Sequence, residues 1–540
     1  MTNILSIVDE YRKVPIEGRA RDLIRKITLY HRVQGSSGIR EATIDVLNLL
    51  REHGLETKLY EIPSSAIKGF IETPISWDLK YAYIEIKSNN EFNVRLTFED
   101  RPTLVSAHSP PGEGCSEIKI CKDVSSCEGD AILIESSAYI AYKELDSRLI
   151  ILYDSKRYPE AVPYTGLFIN ETEIKETSVI NIPYVTAQKI MSLNQRGAKV
   201  EVCWKIETEF SSKPMYGLLA YRGDDPGILF ISHICHPKPG AHDNASGVVS
   251  NILTAYLIEK TDRKYPHAHL FIPEFTGTVF MESHLPWIPR GVINLDMVGS
   301  RQHMTNSTLN IINTPLFMKS YSPSITFIVV KSVLDEASSF GGFKLPGQRY
   351  SITPYTAGSD HDVTIIRGLD SVMLNEWPSK YYHTDLDDVE TISPRQLANV
   401  AVIASTSGYL LNDDQIRNKS YELFKDYLKS WYSIEAFRYN MDISFLSRII
   451  DNQVELEYNP VRTPISMRYI YKHIGFEKYK KLSNTKGGYS YLAVYAPLAY
   501  LSNIREFDKI FQLENLLKWS SEEKKLIDET WEIIRSRLGE

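Results

Sequence analysis

The sequence predicts an α/β protein in which a sheet is flanked by helices. Short apolar runs of strand length recur along the chain and end at polar residues or turns, as in residues 228–247. A helical pattern begins directly after that turn, with Val249, Leu253 and Leu257 on one face. Because strands that alternate with helices are typical of sheets covered by helices, we expect this architecture for the central part of the chain.

The first elements of the chain follow the same pattern. Residues 20–62 indicate a helix, a turn, a second helix and a strand, and Gly54 suits the end of the second helix. A β-rich stretch comes next, with strands expected at residues 81–86, 130–134, 149–153 and 200–204. The pattern of apolar runs that end at polar residues resumes only at about residue 215.

The last third of the chain is predicted to be mostly helical. Residues 391–412 form a strong helical pattern, and Ser393 followed by Pro394 suits its start. Residues 415–540 continue as helices, the last of them over residues 521–538.

Composition excludes several classes of function. The net charge is -7 and no long basic run is present, so the charge pattern does not indicate nucleic-acid binding. No apolar run reaches the length of a membrane span, and we expect no membrane partner. The N-terminal residues lack the apolar stretch of a secretory signal, which favours a cytoplasmic location.

The cysteines support the same location. The chain has five, at positions 115, 121, 127, 203 and 235. Their sparse, odd set predicts reduced thiols, and the spacing of the first three is too wide for a CxxC zinc knuckle. We therefore expect free thiols in a cytoplasmic protein.

Metal-binding side chains follow several of the apolar runs. His233, Glu274 and Asp296 each end such a run, Asp243 lies in the turn after His233, and His383 follows the run 372–374. In an open α/β sheet, ligands gather beyond the carboxyl ends of the strands. Histidine nitrogen and carboxylate oxygen are ligands of zinc, so the set predicts a zinc site.

Each of these residues also has an ordinary structural explanation. An aspartate before a helix, such as Asp243, is more often an N-cap than a ligand. A single histidine at a strand end is more often a satisfied polar residue. Only the joint occurrence of the set in one order favours a metal site. His267, His284 and His303 lack such a context and are expected to be surface or loop histidines.

Four motifs carry a family resemblance. GAHDNASG, NLDMVG, SDHD and YHTDLDD, spread through residues 228–400, resemble the zinc aminopeptidase family that includes the bacterial leucyl aminopeptidases and glutamate carboxypeptidase II. The resemblance implies a zinc-exopeptidase-type mixed central sheet. It implies that His233 binds one metal ion and His383 the other. It further implies that Asp243 bridges the two ions and that Asp296 completes the His233 site. By the same resemblance, Tyr382 stabilises the oxyanion.

Two departures from the family leave alternatives open. Where the family has His-x-Asp, this chain has His233, Ile234 and Cys235, followed by His236. Cys235 is then a ligand, a residue that steadies one, or a small buried residue, and His236 is an alternative ligand to His233. The family also has two adjacent glutamates, a general base and a ligand, but here Glu274 stands alone. Both roles are kept for Glu274, and the spacing to the following glycine slightly favours the base.

The resemblance also implies a domain organisation. Residues 1–65 with 215–412 form the zinc peptidase domain, and residues 75–210 form an inserted domain similar to protease-associated domains. Residues 415–540 form a helical domain similar to a dimerisation domain or, alternatively, to a winged helix. We therefore expect a homo-oligomer, most simply a dimer.

The functional expectation is a cytoplasmic zinc aminopeptidase with one or two zinc ions and a peptide substrate. Asp360 in the SDHD motif is a candidate for orienting a ligand, or else an ordinary loop carboxylate. One alternative is an enzyme resembling the single-zinc glutaminyl cyclases. The other is a binding protein that, like the transferrin receptor, keeps the architecture without catalysis.

Overall fold

The computed structural model describes residues 3–88 and 91–538, so the domain limits 1 and 540 lie outside the described residues. Within this part of the chain, strands β1 to β19 and helices α1 to α18 are numbered in chain order. The strands are Glu56–Ile62, Ile67–Lys68, Ile71–Glu72, Ser76–Ser88, Phe92–Thr97, Gly112–Ile120, Ala131–Ile134, Leu149–Leu152, Ser178–Asn181, Glu201–Ser211, Met215–Arg222, Ile228–His233, His267–Ile272, Gly291–Leu295, Thr308–Ile312, Ala337–Ser338, Lys344–Leu345, Tyr350–Thr353 and Ser371–Trp377. The helices are Ile4–Arg12, Glu17–Ile27, Ser37–Glu52, Ala138–Glu144, Tyr184–Gln195, Ser246–Lys260, Gln302–Thr305, Ser322–Leu334, His361–Ile366, Pro394–Leu411, Asp414–Tyr439, Ser444–Asp451, Met467–Ile474, Phe476–Ser483, Gly488–Ser490, Ala496–Leu501, Phe507–Glu514 and Ser521–Arg535.

A mixed central sheet confirms the predicted α/β class. Its strand order is β1–β11–β13–β12–β14–β19–β15–β18. The strands β13, β12, β14 and β19 run parallel to one another, and β11 and β15 run antiparallel to them. Because the four parallel strands point the same way, their carboxyl ends meet at one edge of the sheet.

Strand β12 shows why the central strands are almost entirely apolar. Ile228 and Phe230 pack into the core on one face of the sheet, whereas Leu229 and Ile231 pack into a separate core on the other. Helices α6, α8 and α10 pack against the sheet. A strand that is buried on both faces has a continuous apolar sequence, which is the pattern that predicted it.

A second, seven-stranded sheet interrupts the first. Its order is β5–β4–β10–β6–β7–β8–β9, and it has its own buried core. In the chain it lies between β1 and β11, which pair with each other in the central sheet. The structure therefore confirms an inserted β-rich region, and its likeness to a protease-associated domain stays a prediction.

The cysteines correct one sequence expectation. Cys115 and Cys203 lie opposite each other on antiparallel β6 and β10 and form a disulfide, and Cys121 forms another with Cys127. Cys235, the fifth, is free and buried. The prediction of free thiols is wrong at four positions. For Cys115 and Cys203 the reason is that local spacing does not reveal the register of distant strands. The predicted cytoplasmic location loses this support and stays a prediction.

Helices α11 to α18 confirm the helical C-terminal region. Tyr495 packs edge-on against Phe317, which follows β15, with ring centroids 5.2 Å apart. Met467 and Tyr489 reach a cavity beside the central sheet. None of the helices in residues 3–88 and 91–538 is both long and apolar enough to cross a membrane.

A buried carboxyl group at this contact predicts a pH-dependent stability. Glu514 accepts hydrogen bonds from the Tyr495 hydroxyl at 2.7 Å and the Leu316 N–H at 3.1 Å, and burial raises its pKa to about 7. The folded protein therefore holds this proton more tightly than the unfolded chain. The group's contribution to stability is full below its unfolded pKa and is lost as the pH rises through about 7.

Replacement of Glu514 by glutamine should remove this dependence, because the amide keeps an acceptor oxygen without a charge. When the pH rises from about 4 to about 8, wild type should lose about 3 kcal/mol of unfolding free energy relative to the variant. Urea unfolding at both pH values measures the shift, with Glu522→Gln as an exposed control. Parallel pH profiles for wild type and Glu514→Gln would contradict the assignment.

Candidate metal centre

Polar side chains collect at the edge where the parallel strands end. His233 is the last residue of β12, Glu274 follows β13 by two residues, and Asp296 directly follows β14. His383 lies six residues after β19, and the turn between β12 and α6 brings in Asp243. All five line one cavity. The structure thus brings together the metal-site residues that the sequence selected.

The turn that carries Asp243 is fixed from several sides. The Asp387 carboxylate accepts hydrogen bonds from the backbone N–H groups of His242, at 2.8 Å, and of Asp243, at 2.9 Å. Gly240 enters the turn with a φ of 49°, and a Cβ there would lie 2.3 Å from His236 Nδ1. Only glycine fits this position. The Asp243 carboxylate is consequently held against the neighbouring imidazoles.

A first group of possible metal ligands comprises His233, Asp243 and Asp296. His233 Nε2 lies 3.4 Å from Asp243 Oδ1 and 3.2 Å from Asp296 Oδ1. The other ring nitrogen, Nδ1, lies 3.1 Å from the carbonyl oxygen of Cys235. This contact leaves Nε2 to face the carboxylates, and one imidazole with two carboxylates is a donor set that zinc accepts.

A second group comprises His236, Asp243 and His383. Asp243 Oδ2 lies 3.6 Å from His236 Nε2 and 3.1 Å from His383 Nε2. Asp243 therefore offers one oxygen to each group. His236 and His233 were alternatives in the sequence, but the structure places both imidazoles at the site, in different groups.

The protonation of His236 and Asp243 fits a metal ion. Burial lowers the pKa of His236 to about 3, so its imidazole is neutral. Burial alone would raise the pKa of Asp243, but the neighbouring imidazoles of His236 and His383 lower it below its ordinary value. Among the described residues, His236 Nε2 is buried without a hydrogen-bond partner. Neutral imidazoles and ionised carboxylates are the forms that bind metal.

Glu274 lies beside both groups but belongs to neither. Its backbone N–H donates to Cys235 Sγ at 3.2 Å. The N–H of Phe275 donates to Asp360 Oδ1 at 2.8 Å. Asp360 therefore holds the turn that carries Glu274, and it does not orient a candidate metal ligand. Burial raises the pKa of Glu274 well above its usual range. A raised carboxyl pKa suits a general base that works near neutral pH.

Tyr382 lines the same cavity. Its ring stacks on His383 with centroids 3.8 Å apart, and Trp377 packs edge-on against it at 4.9 Å. Burial raises the pKa of Tyr382 well above its usual range, so the hydroxyl keeps its proton. The phenol is therefore available as a hydrogen-bond donor.

The β-rich region holds the loop that carries His383, a role that sequence reasoning missed. The N–H of Tyr164 donates to the His383 carbonyl at 2.7 Å, and the Val162 N–H donates to Asp385 at 2.8 Å. The Tyr164 ring packs against His236 and His383, with centroids 4.7 and 4.9 Å apart. No local sequence pattern predicts such a contact between distant segments. The acid-rich motif YHTDLDD indicates only that the loop after β19 belongs to the site.

The cavity beside the site has a volume of about 710 Å³. Much of its wall is apolar and includes Phe275, Met297, Ile312, Met373, Trp377 and Met467. Its acidic groups are Asp243 and Asp296 of the two candidate donor groups, together with Glu274. No lysine or arginine is among the described residues that line it.

Comparisons with known proteins support the fold. A family model described only as a domain of unknown function (DUF4910) matches residues 178–310. No curated protein matches the chain significantly. Among solved structures, a putative peptidase from Clostridium acetobutylicum is 17% identical, with 75% of this chain and 82% of that chain covered and a TM-score of 0.54. A zinc aminopeptidase from Bacillus subtilis is 17% identical, with 73% and 94% covered and a TM-score of 0.53.

A peptidase precursor from Shewanella amazonensis is 14% identical, with 76% and 95% covered and a TM-score of 0.54. At these identities the likeness shows the fold alone. It confirms the exopeptidase-type sheet that the motifs implied. The closer resemblance to leucyl aminopeptidases or to glutamate carboxypeptidase II stays a prediction.

Proposed function

We propose that the chain is a zinc-dependent aminopeptidase. The observation that carries the proposal is the pair of donor groups that share Asp243, with Glu274 beside them at the same sheet edge. His233, Asp243, Asp296 and His383 would hold the metal. When bound, zinc supplies Lewis-acid polarisation of the scissile carbonyl group and lowers the pKa of a water molecule.

Glu274 is the general base of this proposal. It takes a proton from the attacking water and passes it to the leaving amine nitrogen. Its place outside both donor groups supports this role over that of a ligand. The hydrogen bond from its backbone N–H to Cys235 Sγ holds this part of the chain at the edge of the site.

Tyr382 is the candidate donor to the reacting carbonyl oxygen. As negative charge develops on that oxygen, a protonated phenol stabilises it by donating a hydrogen bond. Stacking on His383 and the edge contact with Trp377 restrict the tyrosine ring, so the hydroxyl is held in place before the substrate arrives.

The charges of the cavity favour the amino end of a peptide. A carboxypeptidase must hold a free carboxylate, usually with arginine or lysine. The described lining offers neither, and its acidic residues are those already assigned to the metal ions and to the base. A protonated α-amino group is therefore better accommodated than a carboxylate.

The proposed activity is tested with aminoacyl p-nitroanilides and their N-acetylated counterparts. We expect hydrolysis of the free-amine substrates only, its loss on treatment with a chelator, and its recovery when zinc is added. No hydrolysis by zinc-loaded protein would contradict the proposal. Release of ammonia from an N-terminal glutaminyl peptide would instead favour the cyclase-like alternative.

A further inference from the structure

We propose that His236 replaces the carboxylate ligand that this chain lacks, so that a second metal ion is held by His236, Asp243 and His383. The inference rests on the proposed function for the presence of metal. The donor set of the second ion then differs from that of the first. It comprises two imidazoles and the Asp243 carboxylate, which both ions share.

The turn after β13 offers no second carboxylate. Glu274 is followed by Phe275, whose backbone has a φ of 55° and whose N–H is bound to Asp360. The second ion therefore needs its third protein ligand from another segment. The loop after β12 can supply this ligand, because it already carries His233 and it places His236 beside Asp243.

The hydrogen bonds of His236 leave one lone pair for a cation. Its Nδ1 lies 2.8 Å from the carbonyl oxygen of Pro237, so Nδ1 carries the proton that donates to this oxygen. The other nitrogen, Nε2, is then an acceptor. It faces Asp243 Oδ2 at 3.6 Å, and none of the described residues donates to it. Two acceptors that face each other in a buried site require positive charge between them.

The loop of His236 is held in place before any metal binds. Arg32 and His236 exchange two backbone hydrogen bonds of 2.9 Å each. The buried Arg32 guanidinium also donates to the carbonyl groups of Ile234 at 2.9 Å and Gly240 at 3.0 Å. Tyr164 closes the other side of the imidazole. Such preorganised support from outside the ligand set is typical of metal sites.

The experiment counts zinc in the full chain and does not depend on activity. Wild type, His236→Ala and His236→Gln are loaded with zinc, passed over a gel-filtration column and analysed by mass spectrometry. The control is His361→Ala, which removes another buried imidazole of the same cavity that lies outside both donor groups. Circular dichroism in the presence of a chelator checks that each variant folds.

We expect two ions per chain in wild type and His361→Ala, and one in both His236 variants. Competition with a chromophoric chelator should show that the second ion binds at least about a hundredfold more weakly without His236, since even outer contacts cost tenfold to a hundredfold. Two ions bound with wild-type affinity in His236→Gln would overturn the role of His236 alone. A wild-type chain that binds no zinc would contradict the proposed function itself.

An independent surface feature concerns assembly. Helix α11 exposes an apolar stripe formed by Leu423, Tyr427, Ile434 and Phe437, whose exposed fractions are 57, 37, 63 and 90%. Intervals of three, four and seven residues place these side chains on one side of the helix. The face that packs on the protein core is a different one.

We infer that this stripe binds the same stripe of a second copy, with the two helices antiparallel. Leu423 and Phe437 lie seven residues on either side of Ser430, and Glu422 and Arg438 lie eight residues on either side. A two-fold axis at Ser430 therefore sets Leu423 opposite Phe437 of the partner subunit. The same axis sets Glu422 opposite Arg438 of the partner subunit. Both charged side chains are more than half exposed.

Sedimentation equilibrium of the full chain tests this interface. We expect a dimer for wild type and for Phe340→Asp, a control at a fully exposed hairpin tip. Phe437→Asp should give a monomer. Glu422→Arg should weaken the dimer by about tenfold, and the double variant Glu422→Arg/Arg438→Glu should restore it. A monomeric wild type, or a double variant that is as weak as the single one, would overturn the inference.

Discussion

Replacement of Asp243 by asparagine is expected to empty the metal centre and to abolish peptide hydrolysis. Asp243 is the only residue of the described chain that belongs to both donor groups, with one carboxylate oxygen facing each. Asparagine keeps the size of the side chain but removes its negative charge. Both ions would then lose their shared ligand, and the histidines of the two groups would be left without a common counter-charge.

The expected loss of activity is at least about a thousandfold, because a metal contributes several kcal/mol to the transition state and each 1.36 kcal/mol is a factor of ten. Zinc content and hydrolysis should be measured on the same sample. Asp388→Asn is a suitable control, since Asp388 is an exposed residue of the same loop that carries His383. Full zinc content and activity in Asp243→Asn would show that the two donor groups do not bind metal.

Glu274→Gln should have a comparably large but distinct effect. As the proposed base, Glu274 can be removed without disturbing the metal ligands, so the variant should keep its zinc while the chemical step slows by about a hundredfold or more. The loss should appear in kcat rather than KM. Glu390→Gln is the matched control, because Glu390 is exposed and lies outside the cavity.

The pH profile gives a second readout for Glu274. Burial raises the pKa of this carboxyl group well above its usual range, and only its ionised form accepts a proton. Wild-type activity should therefore fall as the pH decreases through that raised pKa, and the remaining activity of Glu274→Gln should lack this limb. If zinc is lost in step with activity, Glu274 is a ligand and the base must be another group.

Much of the site was predictable because it depends on strand ends. His233 and Asp296 terminate buried strands whose apolar sequences are continuous, and parallel strands bring such ends to one edge. Helix α6 follows the turn after β12, as its periodicity predicted. These features depend on local pattern, which a sequence displays directly.

The remaining features depend on contacts between distant segments. His236 joins the second donor group because its loop pairs with Arg32, and Tyr164 reaches the site from the β-rich insertion. His267 was expected to be a surface or loop histidine. It is buried instead, with its ring nitrogens near His269 and Glu259. The partners of His236 lie far from it in the sequence, whereas His267 was misplaced because β13 already begins at this residue.

The number of zinc ions that each chain binds tests the metal centre most directly. Protein freed of metal, reloaded with zinc and separated from unbound ions should contain two zinc ions per chain by mass spectrometry. Two ions are predicted because two donor groups share Asp243. A single ion per chain would favour the cyclase-like alternative, and no bound zinc after reloading would contradict the metal centre altogether.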